Sequence, residues 1–234
     1  MDLYQIYKML LDAFGEQGWW PLTDEGEVRP KHTGKKPSKE RERFEIVIGA
    51  ILTQNTSWKN VERAIENLNR ENLIDIQKID EIEINKLAAI IRSAGYFNQK
   101  ARRLKDFVRF LIDNYDGKLE NLFSLEMRRL REELLSIKGI GKETADSIIL
   151  YSALQPIFVI DAYTKRIMKR LGLGDKNYDE LQEMFMSSLP KDQRLFAEYH
   201  ALLVHLGKNY CKKSKPNCKV CPLNGMCKYP DNLN

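Results

Sequence analysis

The most informative stretch of this 234-residue chain is LLSIKGIGKETA, residues Leu134–Ala145. Its apolar spacing predicts a helix that ends in a Gly-x-Gly turn and a second helix that begins at once. Backbone N–H groups at the start of such a helix bind phosphate well, and glycine has no Cβ to keep the phosphate away. With two lysines beside the turn, the segment predicts contacts to a DNA backbone. The candidate contact residues are Lys138, Gly139, Gly141, Lys142 and Thr144.

Helical periodicity extends over most of the remaining sequence. One apolar stripe covers Leu3–Phe14, between Asp2 as N-cap and Gly15 as the helix end. Phe44–Leu52 is apolar almost all round, which is typical of a helix at the centre of a bundle. Residues 21–40 are rich in Gly, Pro, Lys and Thr without a period, and they predict an exposed loop. We therefore expect an all-α protein of roughly ten helices without a sheet.

Composition and charge narrow the class of protein. Apolar residues make up 43% and charged residues 30% of the chain, which excludes a disordered or low-complexity protein. The longest apolar run, Ile46–Leu52, is far shorter than the roughly 20 residues that cross a bilayer, and the N-terminus lacks the layout of a signal peptide. The net charge is only +5, but six lysines and no acid lie between Lys208 and Lys228. We expect a soluble, cytosolic protein with a polyanion partner, nucleic acid being favoured over a membrane surface.

All four cysteines lie near the C-terminus, at Cys211, Cys218, Cys221 and Cys227. Disulfides are unexpected in a chain without an export signal, so four cysteines this close together predict a metal site. Structural zinc typically uses two close cysteine pairs separated by a longer loop, whereas only Cys218 and Cys221 form a close pair here. The spacing therefore favours an iron–sulfur cluster held by four thiolates and leaves zinc as the alternative.

A further candidate is the carboxylate in VIDAY, residues 159–163. Asp161 follows an apolar run and precedes a predicted helix that carries Lys165 and Arg166. An aspartate in this position caps the helix, and it can also be a functional carboxylate. The residues alone leave both interpretations open.

The hairpin, Asp161 and the Cys-x6-Cys-x2-Cys-x5-Cys loop together resemble the helix-hairpin-helix DNA glycosylase superfamily, in its endonuclease III branch. The resemblance covers roughly Phe44 to Cys227 and keeps the family's order of motifs. It implies that Asp161 is the catalytic aspartate and that the four cysteines ligate a [4Fe–4S] cluster. It also implies that Gln54 enters the DNA stack where the damaged base has left.

The same resemblance implies a two-domain all-α fold, with a helical barrel domain beside an iron–sulfur cluster domain. The barrel, including the helix-hairpin-helix, would cover residues 40–151. Residues 152–234 would form the cluster domain with the catalytic aspartate. The N-terminal helix and basic loop, residues 1–39, would pack with that domain, and DNA would lie across the groove between the two halves.

One position departs from the family and changes the expected chemistry. Bifunctional members have a lysine in the turn Gly-x-Gly-x-Lys-Thr-Ala, which attacks the sugar and leads to strand cleavage, whereas this chain has Glu143 there. Lys142 is one position earlier, and a step of one residue turns a helix by about 100°, so its side chain points elsewhere. The resemblance therefore implies a monofunctional glycosylase that uses water as its nucleophile and leaves an abasic site.

Further segments look like the 3-methyladenine DNA glycosylases of the same superfamily. They are WWP at 19–21, FE at 44–45, GAILTQNT at 49–56, YFNQKA at 96–101 and GIGKE at 139–143. The base pocket that this resemblance implies consists of Trp19, Trp20, Pro21, Phe44 and Glu143. A 3-alkylated adenine is cationic, so stacking on tryptophan adds a cation–π attraction of up to about 2 kcal/mol when desolvated. Two features differ from that branch. Its members have a lysine directly after the aspartate, where this chain has Ala162, and they lack the cysteine loop.

We therefore expect a monomeric, monofunctional DNA glycosylase of base excision repair in the cytoplasm, associated with the nucleoid. It would remove alkylated purines such as 3-methyladenine from double-stranded DNA. The alternatives are a glycosylase for T/G or U/G mismatches, a bifunctional endonuclease III-like glycosylase and AP lyase, and a non-catalytic DNA-binding iron–sulfur protein. His32, His200 and His205 fall in no motif and are expected to be surface or packing residues.

Overall fold

The computed structural model describes residues 2–229. Within this range the chain is helical, with no strand beyond an isolated antiparallel bridge between Leu22 and Lys31, so the all-α prediction is confirmed. The α-helices are α1 (Leu3–Phe14), α2 (Glu40–Leu52), α3 (Trp58–Arg70), α4 (Ile76–Glu81), α5 (Ile84–Ile90), α6 (Phe97–Tyr115), α7 (Leu119–Phe123), α8 (Met127–Ser136), α9 (Lys142–Ser147), α10 (Ala162–Arg170), α11 (Tyr178–Ser188) and α12 (Gln193–Asn209). Shorter helical segments are Arg92–Ala94, Ile148–Ser152, Cys218–Val220 and Asn224–Met226. In residues 2–229, no helix combines the length and the apolar character that a membrane span requires.

The chain forms two compact units. The central unit is Trp20–Gln155 and contains α2 to α9. The terminal unit combines the residues up to Trp19 with those from Pro156 onward, and it contains α1, α10, α11 and α12. This division differs from the expected boundaries after residues 39 and 151: residues 20–39 belong to the central unit, and the second boundary follows Gln155.

Buried polar contacts explain why the loop at residues 20–39 belongs to the central unit. The Glu45 carboxylate on α2 accepts hydrogen bonds from the Thr23 backbone N–H at 2.8 Å and from the Thr23 hydroxyl at 2.9 Å. The Asn69 amide on α3 donates to the same hydroxyl oxygen at 3.0 Å. Each of these groups would cost about 1–3 kcal/mol if it were buried without a partner. The prediction of an exposed loop is therefore wrong for its first residues, Pro21–Thr23, which are buried.

Helix α2 is the core of the central unit, as the sequence predicts. Every residue from Phe44 to Leu52 is buried, and α3, α6, α7 and α9 all contact the helix. At Gly49 the packing is close, since a Cβ there would lie 3.0 Å from the Trp20 ring. A glycine at this position therefore lets the indole pack directly against the helix backbone.

The terminal unit is built around α1 and α12, which pack against each other. Asp2 caps α1 by accepting a hydrogen bond from the Tyr4 N–H at 2.8 Å, and Gly15, with a φ of +67°, ends the helix, as predicted. Phe158 and Phe185 stack with 3.9 Å between their ring centroids, and both are fully buried. The unit therefore has its own apolar core.

A buried lysine closes the C-terminal end of α2. Lys100 is 1% exposed, and its Nζ donates to the carbonyl oxygens of Leu52 at 2.7 Å and of Ala94 at 2.8 Å. Carbonyls at helix ends have no partner within their own helix, and a cation there also complements the helix dipole. Burial, with a smaller contribution from the nearby Arg103, lowers the pKa of Lys100 to about 8.

This pKa predicts a pH-dependent stability. The amine of Lys100 titrates at about 10.5 in the unfolded chain, so between about pH 8 and 10.5 the unfolded state holds a proton that the folded state has released. The free energy of unfolding should therefore rise with pH across this window, by at most about 3 kcal/mol. Urea unfolding at several pH values measures this rise. Lys100→Met should lose it and Lys86→Met, exposed on α5, should retain it; equal slopes in both variants would contradict the assignment.

Candidate functional site

Helices α8 and α9 form the predicted helix-hairpin-helix. Helix α8 ends at Ser136 and α9 begins at Lys142, and between them Gly139 has a φ of +88°, a left-handed conformation that favours glycine. The Arg131 guanidinium on α8 donates to both carboxylate oxygens of Asp146 on α9, at 2.7 and 3.1 Å. A bidentate pair of this kind fixes orientation as well as distance. The two helices are therefore held in one arrangement around the turn.

The hairpin turn presents basic side chains to solvent. Lys138 and Lys142 are exposed, as is Glu143 on the first turn of α9. Thr144, which the sequence suggested as a DNA contact, is only 6% exposed. The structure thus brings the predicted lysines and glycines together at one turn, while the Thr144 hydroxyl faces another part of the central unit.

The Thr144 hydroxyl faces Gln54, which lies just after the end of α2. Its Nε2 donates to the Gly139 carbonyl at 3.1 Å and to the Thr144 hydroxyl at 2.8 Å, and its Oε1 accepts a hydrogen bond from Arg103 Nη1. The Arg103 side chain passes over the turn, because a Cβ on Gly139 would lie 2.7 Å from Arg103 Nε. Two predicted DNA-binding elements are therefore in direct contact. The sequence gives Arg103 no distinguishing signal, since it is one of several basic residues on α6.

Asp161 occupies the N-cap position of α10 in the terminal unit. Its Oδ1 accepts a hydrogen bond from the Thr164 N–H at 2.7 Å, and the residue is 7% exposed. Asp161 therefore caps α10, as one of the two interpretations expected. The cap does not exclude a chemical role, because the cap bond uses one carboxylate oxygen and Oδ2 faces a different neighbour.

That neighbour is His200 on α12. Its Nε2 lies 3.8 Å from Asp161 Oδ2, and 12% of its side chain is exposed. Burial lowers the pKa of His200, and the carboxylate opposes this shift. The imidazole is therefore neutral at neutral pH and leaves the charge of Asp161 uncancelled. The sequence predicts a surface or packing role for His200 and does not indicate this contact, because the two residues belong to different helices and share no local spacing.

The residues expected to form a base pocket differ in exposure. Trp20 and Phe44 are 6% and 1% exposed, and Pro21 is buried. The Trp20 ring lies edge-on to Trp58 with 5.4 Å between ring centroids, so it packs within the central unit. Trp19, in the terminal unit, is half-buried and therefore more accessible than Trp20.

The four cysteines line one cavity in the terminal unit. The residues that surround this cavity are Arg170, Tyr210, Cys211, Pro216, Cys218, Cys221, Asn224, Cys227 and Tyr229. All four thiols are free and partly buried. In the part of the chain that the structure describes, no group of three or more His, Cys, Asp or Glu side chains is placed to hold a metal ion. The donor set nevertheless fits an iron–sulfur cluster, which four thiolates ligate and whose iron and sulfide atoms keep those thiolates apart.

Arg170, near the end of α10, brings a positive charge to this cavity. It donates to Cys211 Sγ at 3.2 Å and to the Lys212 carbonyl at 2.7 Å, and its guanidinium lies 4.1 Å from the centroid of the Tyr229 ring. Burial raises the pKa of the Cys227 thiol, as does repulsion from neighbouring thiols, whereas Arg170 lowers it. A guanidinium in this place favours thiolates, the form that binds metal.

An exposed aromatic residue lies beside the helix end that Lys100 closes. Tyr96 is 67% exposed and has a φ of +46°, a conformation that residues other than glycine rarely adopt. Its carbonyl accepts a hydrogen bond from the Lys100 N–H at 3.0 Å. The left-handed conformation of Tyr96 could not be predicted from the sequence, because backbone strain at a tyrosine has no sequence signal. The ring is available for contact with a ligand.

Comparisons with known proteins agree with this arrangement. Residues 48–191, more than half of the chain, match the family described as HhH-GPD superfamily base excision DNA repair protein. A relative from Methanocaldococcus jannaschii, assigned by name to the DNA repair glycosylases, is 47% identical over 229 residues, which cover 96% of this chain and 95% of the relative. An endonuclease III from Sulfolobus acidocaldarius is 34% identical over 82% of this chain and 84% of its own length.

A solved structure shows the same fold. The H. pylori 3-methyladenine DNA glycosylase, in complex with 1,N6-ethenoadenine, has a TM-score of 0.70 and 29% sequence identity to this chain. The similarity covers 89% of this chain and 98% of that one. On the extent of these matches, the chain belongs to the HhH-GPD superfamily of base excision DNA repair proteins.

Proposed function

We propose that this DNA glycosylase hydrolyses the N-glycosidic bond of alkylated purines such as 3-methyladenine and leaves the DNA strand intact. The observation that carries the proposal is Glu143, exposed on the first turn of α9, where bifunctional members of the superfamily have a lysine. A carboxylate cannot form the imine with the sugar through which an amine leads to strand cleavage. Water is then the nucleophile, and the product is an abasic site in an unbroken strand.

Asp161 would stabilise the transition state. As the base leaves with the bonding electrons, positive charge develops on the sugar, and a preorganised carboxylate stabilises that charge more strongly than it stabilises the ground state. The bond from the Thr164 N–H, at 2.7 Å, fixes the orientation of the carboxylate, and the neutral His200 leaves its charge intact. The same carboxylate would orient the attacking water and accept its proton.

The hairpin would hold the DNA backbone. Lys138 and Lys142 are exposed beside a turn that Gly139 makes possible. Phosphate contacts of this kind provide affinity and register without reading sequence. Gln54, beside the hairpin, would fill the gap left by the extruded nucleotide. Extrusion costs a few kcal/mol and is cheapest for a damaged base.

Two observations support an alkylated purine as the substrate. The similar H. pylori 3-methyladenine DNA glycosylase was solved with a modified purine, 1,N6-ethenoadenine. This chain also carries the Trp-Trp-Pro segment, in which the half-buried Trp19 would offer an indole face to a cationic base. Because alkylation already weakens the glycosidic bond, the reaction needs no strong general acid.

A second candidate is an endonuclease III-like activity that removes damaged pyrimidines. The identity of 34% to the Sulfolobus acidocaldarius endonuclease III and the cysteine loop favour it. Glu143 argues against the lyase step of that activity. The two candidates therefore differ in both the released base and the state of the strand.

The four-thiol cavity would hold a [4Fe–4S] cluster through Cys211, Cys218, Cys221 and Cys227. The thiols supply the four ligands such a cluster requires, and the Arg170 guanidinium lies beside one of them. The bound cluster would cross-link the C-terminal loop of the terminal unit. Arg170 and the backbone around it would keep the ligands in place.

Asp161→Asn separates the capping role from the catalytic one. Asparagine is an equally good N-cap, so stability and binding to undamaged DNA should stay unchanged, whereas the charge that faces the developing cation is lost. Single-turnover base release should fall by at least about 100-fold. Asp161→Ala should lose activity and also about 1 kcal/mol of stability, since the cap is gone. Base release by the Asn variant at the wild-type rate would show that Asp161 is only a cap.

The product of the reaction tests the substrate and the nucleophile together. Methylated duplex DNA should yield free 3-methyladenine, and the abasic strand should break only after hot alkali. Borohydride should trap no covalent complex, because no amine attacks the sugar, whereas Glu143→Lys places an amine in that position and should gain trapping. Chromatography of released bases and denaturing gels measure these outcomes.

Other products would redirect the assignment. Release of uracil or thymine from mispairs, without release from alkylated DNA, would identify a mismatch glycosylase. Efficient trapping of the wild-type protein would favour the endonuclease III-like candidate.

Protein purified under anaerobic conditions should contain about four iron atoms per chain and absorb visible light, as an iron–sulfur cluster does. Metal analysis and absorption spectra measure this. Cys221→Ser should lower the iron content, and chelators that extract the iron should lower the stability of the terminal unit. Stoichiometric zinc without iron or visible absorption would overturn the cluster proposal.

A further inference from the structure

The side-chain amide of Gln54 forms hydrogen bonds through its nitrogen to the hairpin and through its oxygen to Arg103. Nε2 donates to the Gly139 carbonyl at 3.1 Å and to the Thr144 hydroxyl at 2.8 Å, and Oε1 accepts from Arg103 Nη1. A glutamine with these three bonds lies against the hairpin and cannot extend into a base stack at the same time. Insertion into DNA therefore requires these bonds to be exchanged.

Arg103 is the member of this group that a phosphate would attract most strongly. Its side chain crosses the turn, since a Cβ on Gly139 would lie 2.7 Å from Nε and 2.9 Å from Cγ. The guanidinium is thus placed at the turn that also exposes Lys138 and Lys142. Its partner there is a neutral amide oxygen, whereas a phosphate brings a full negative charge and can accept two N–H groups of one guanidinium at the same time.

We propose that Arg103 is a further phosphate-binding residue and that it couples binding of the DNA backbone to the release of Gln54. When a phosphate at the turn takes over the guanidinium, Gln54 Oε1 loses its donor, and two neutral hydrogen bonds then hold the side chain. Only hydrogen bonds are exchanged, and no covalent bond changes. The inference rests on the proposed DNA contacts of the hairpin and Gln54, but it does not depend on which base is removed.

The phosphate contact is tested by the salt dependence of binding. Fluorescence anisotropy measures the affinity of the full chain for undamaged duplex DNA. In Arg103→Gln the slope of log affinity against log salt concentration should be shallower by about 0.9. The loss of affinity relative to wild type should therefore be about 3-fold larger at 50 mM than at 200 mM salt. Arg109→Gln is the matched control, because it makes the same change on the same helix at a residue that pairs with Asp80 at 3.7 Å, and its slope should equal that of wild type. A wild-type slope in Arg103→Gln, or an equal decrease in both variants, would overturn the phosphate contact.

The coupling is tested by a duplex with 2-aminopurine beside the target nucleotide, whose fluorescence rises when the stack opens. Thr144→Val removes one partner of Gln54 without a change of charge. It should speed the rise by roughly 2- to 10-fold, the worth of one neutral hydrogen bond, and keep the salt slope. Arg103→Gln should change the rate in the wild-type chain but not in Gln54→Ala, because the coupling passes through that side chain. An unchanged rate in Thr144→Val, or equal effects of Arg103→Gln in both backgrounds, would overturn the coupling.

These readouts are independent of base excision. If they behave as expected and alkylated DNA releases no base, the proposed substrate fails while the coupling stands. If base release is normal and the readouts do not respond, the coupling fails while the proposed function stands.

Discussion

A helical segment that is apolar on almost every side has to be covered on almost every side, and residues Phe44–Leu52 of α2 impose this constraint on the central unit. Four helices, the short helical segment Ile148–Ser152 and the segment Trp20–Thr23 cover α2. Burial of apolar surface contributes about 25 cal/mol per Å² and drives this arrangement. It also forces the polar groups that enter the core to find partners. Glu45, whose pKa is raised by burial, is paired with Thr23, and the last carbonyl of the helix is paired with Lys100.

The same helix positions the candidate DNA-binding residues of the central unit. Gln54 leaves its C-terminal end and reaches Gly139 of the hairpin, while Trp20 packs on Gly49 in its middle. Residues that are far apart in sequence thus depend on one buried element for their relative positions. A rigid support of this kind suits a site in which side chains must be held within fractions of an ångström.

What could be predicted from the sequence is what depends on neighbouring residues. The ends of α1, the all-round burial of α2 and the Gly139 turn follow from periodicity, caps and glycine, which act over a few residues. The contact between Asp161 and His200, and that between Arg103 and Gln54, could not be predicted, because each joins separate elements whose packing the local pattern does not specify. Residues 20–39 lie in the central unit, and this could not be predicted for the same reason: a polar, aperiodic loop gives no sign of its buried anchor at Thr23.

The terminal unit combines two parts of the chain, one before and one after the central unit in sequence. This order has a consequence for synthesis. Helix α1 carries Leu3, Ile6 and Leu10 on its buried face and packs against α12, which is made long after it. At about 5–20 residues per second, the ribosome needs on the order of tens of seconds to bridge that distance. The central unit is continuous and can fold during this interval. The apolar face of α1 is therefore not covered by α12 until the whole central unit has been made.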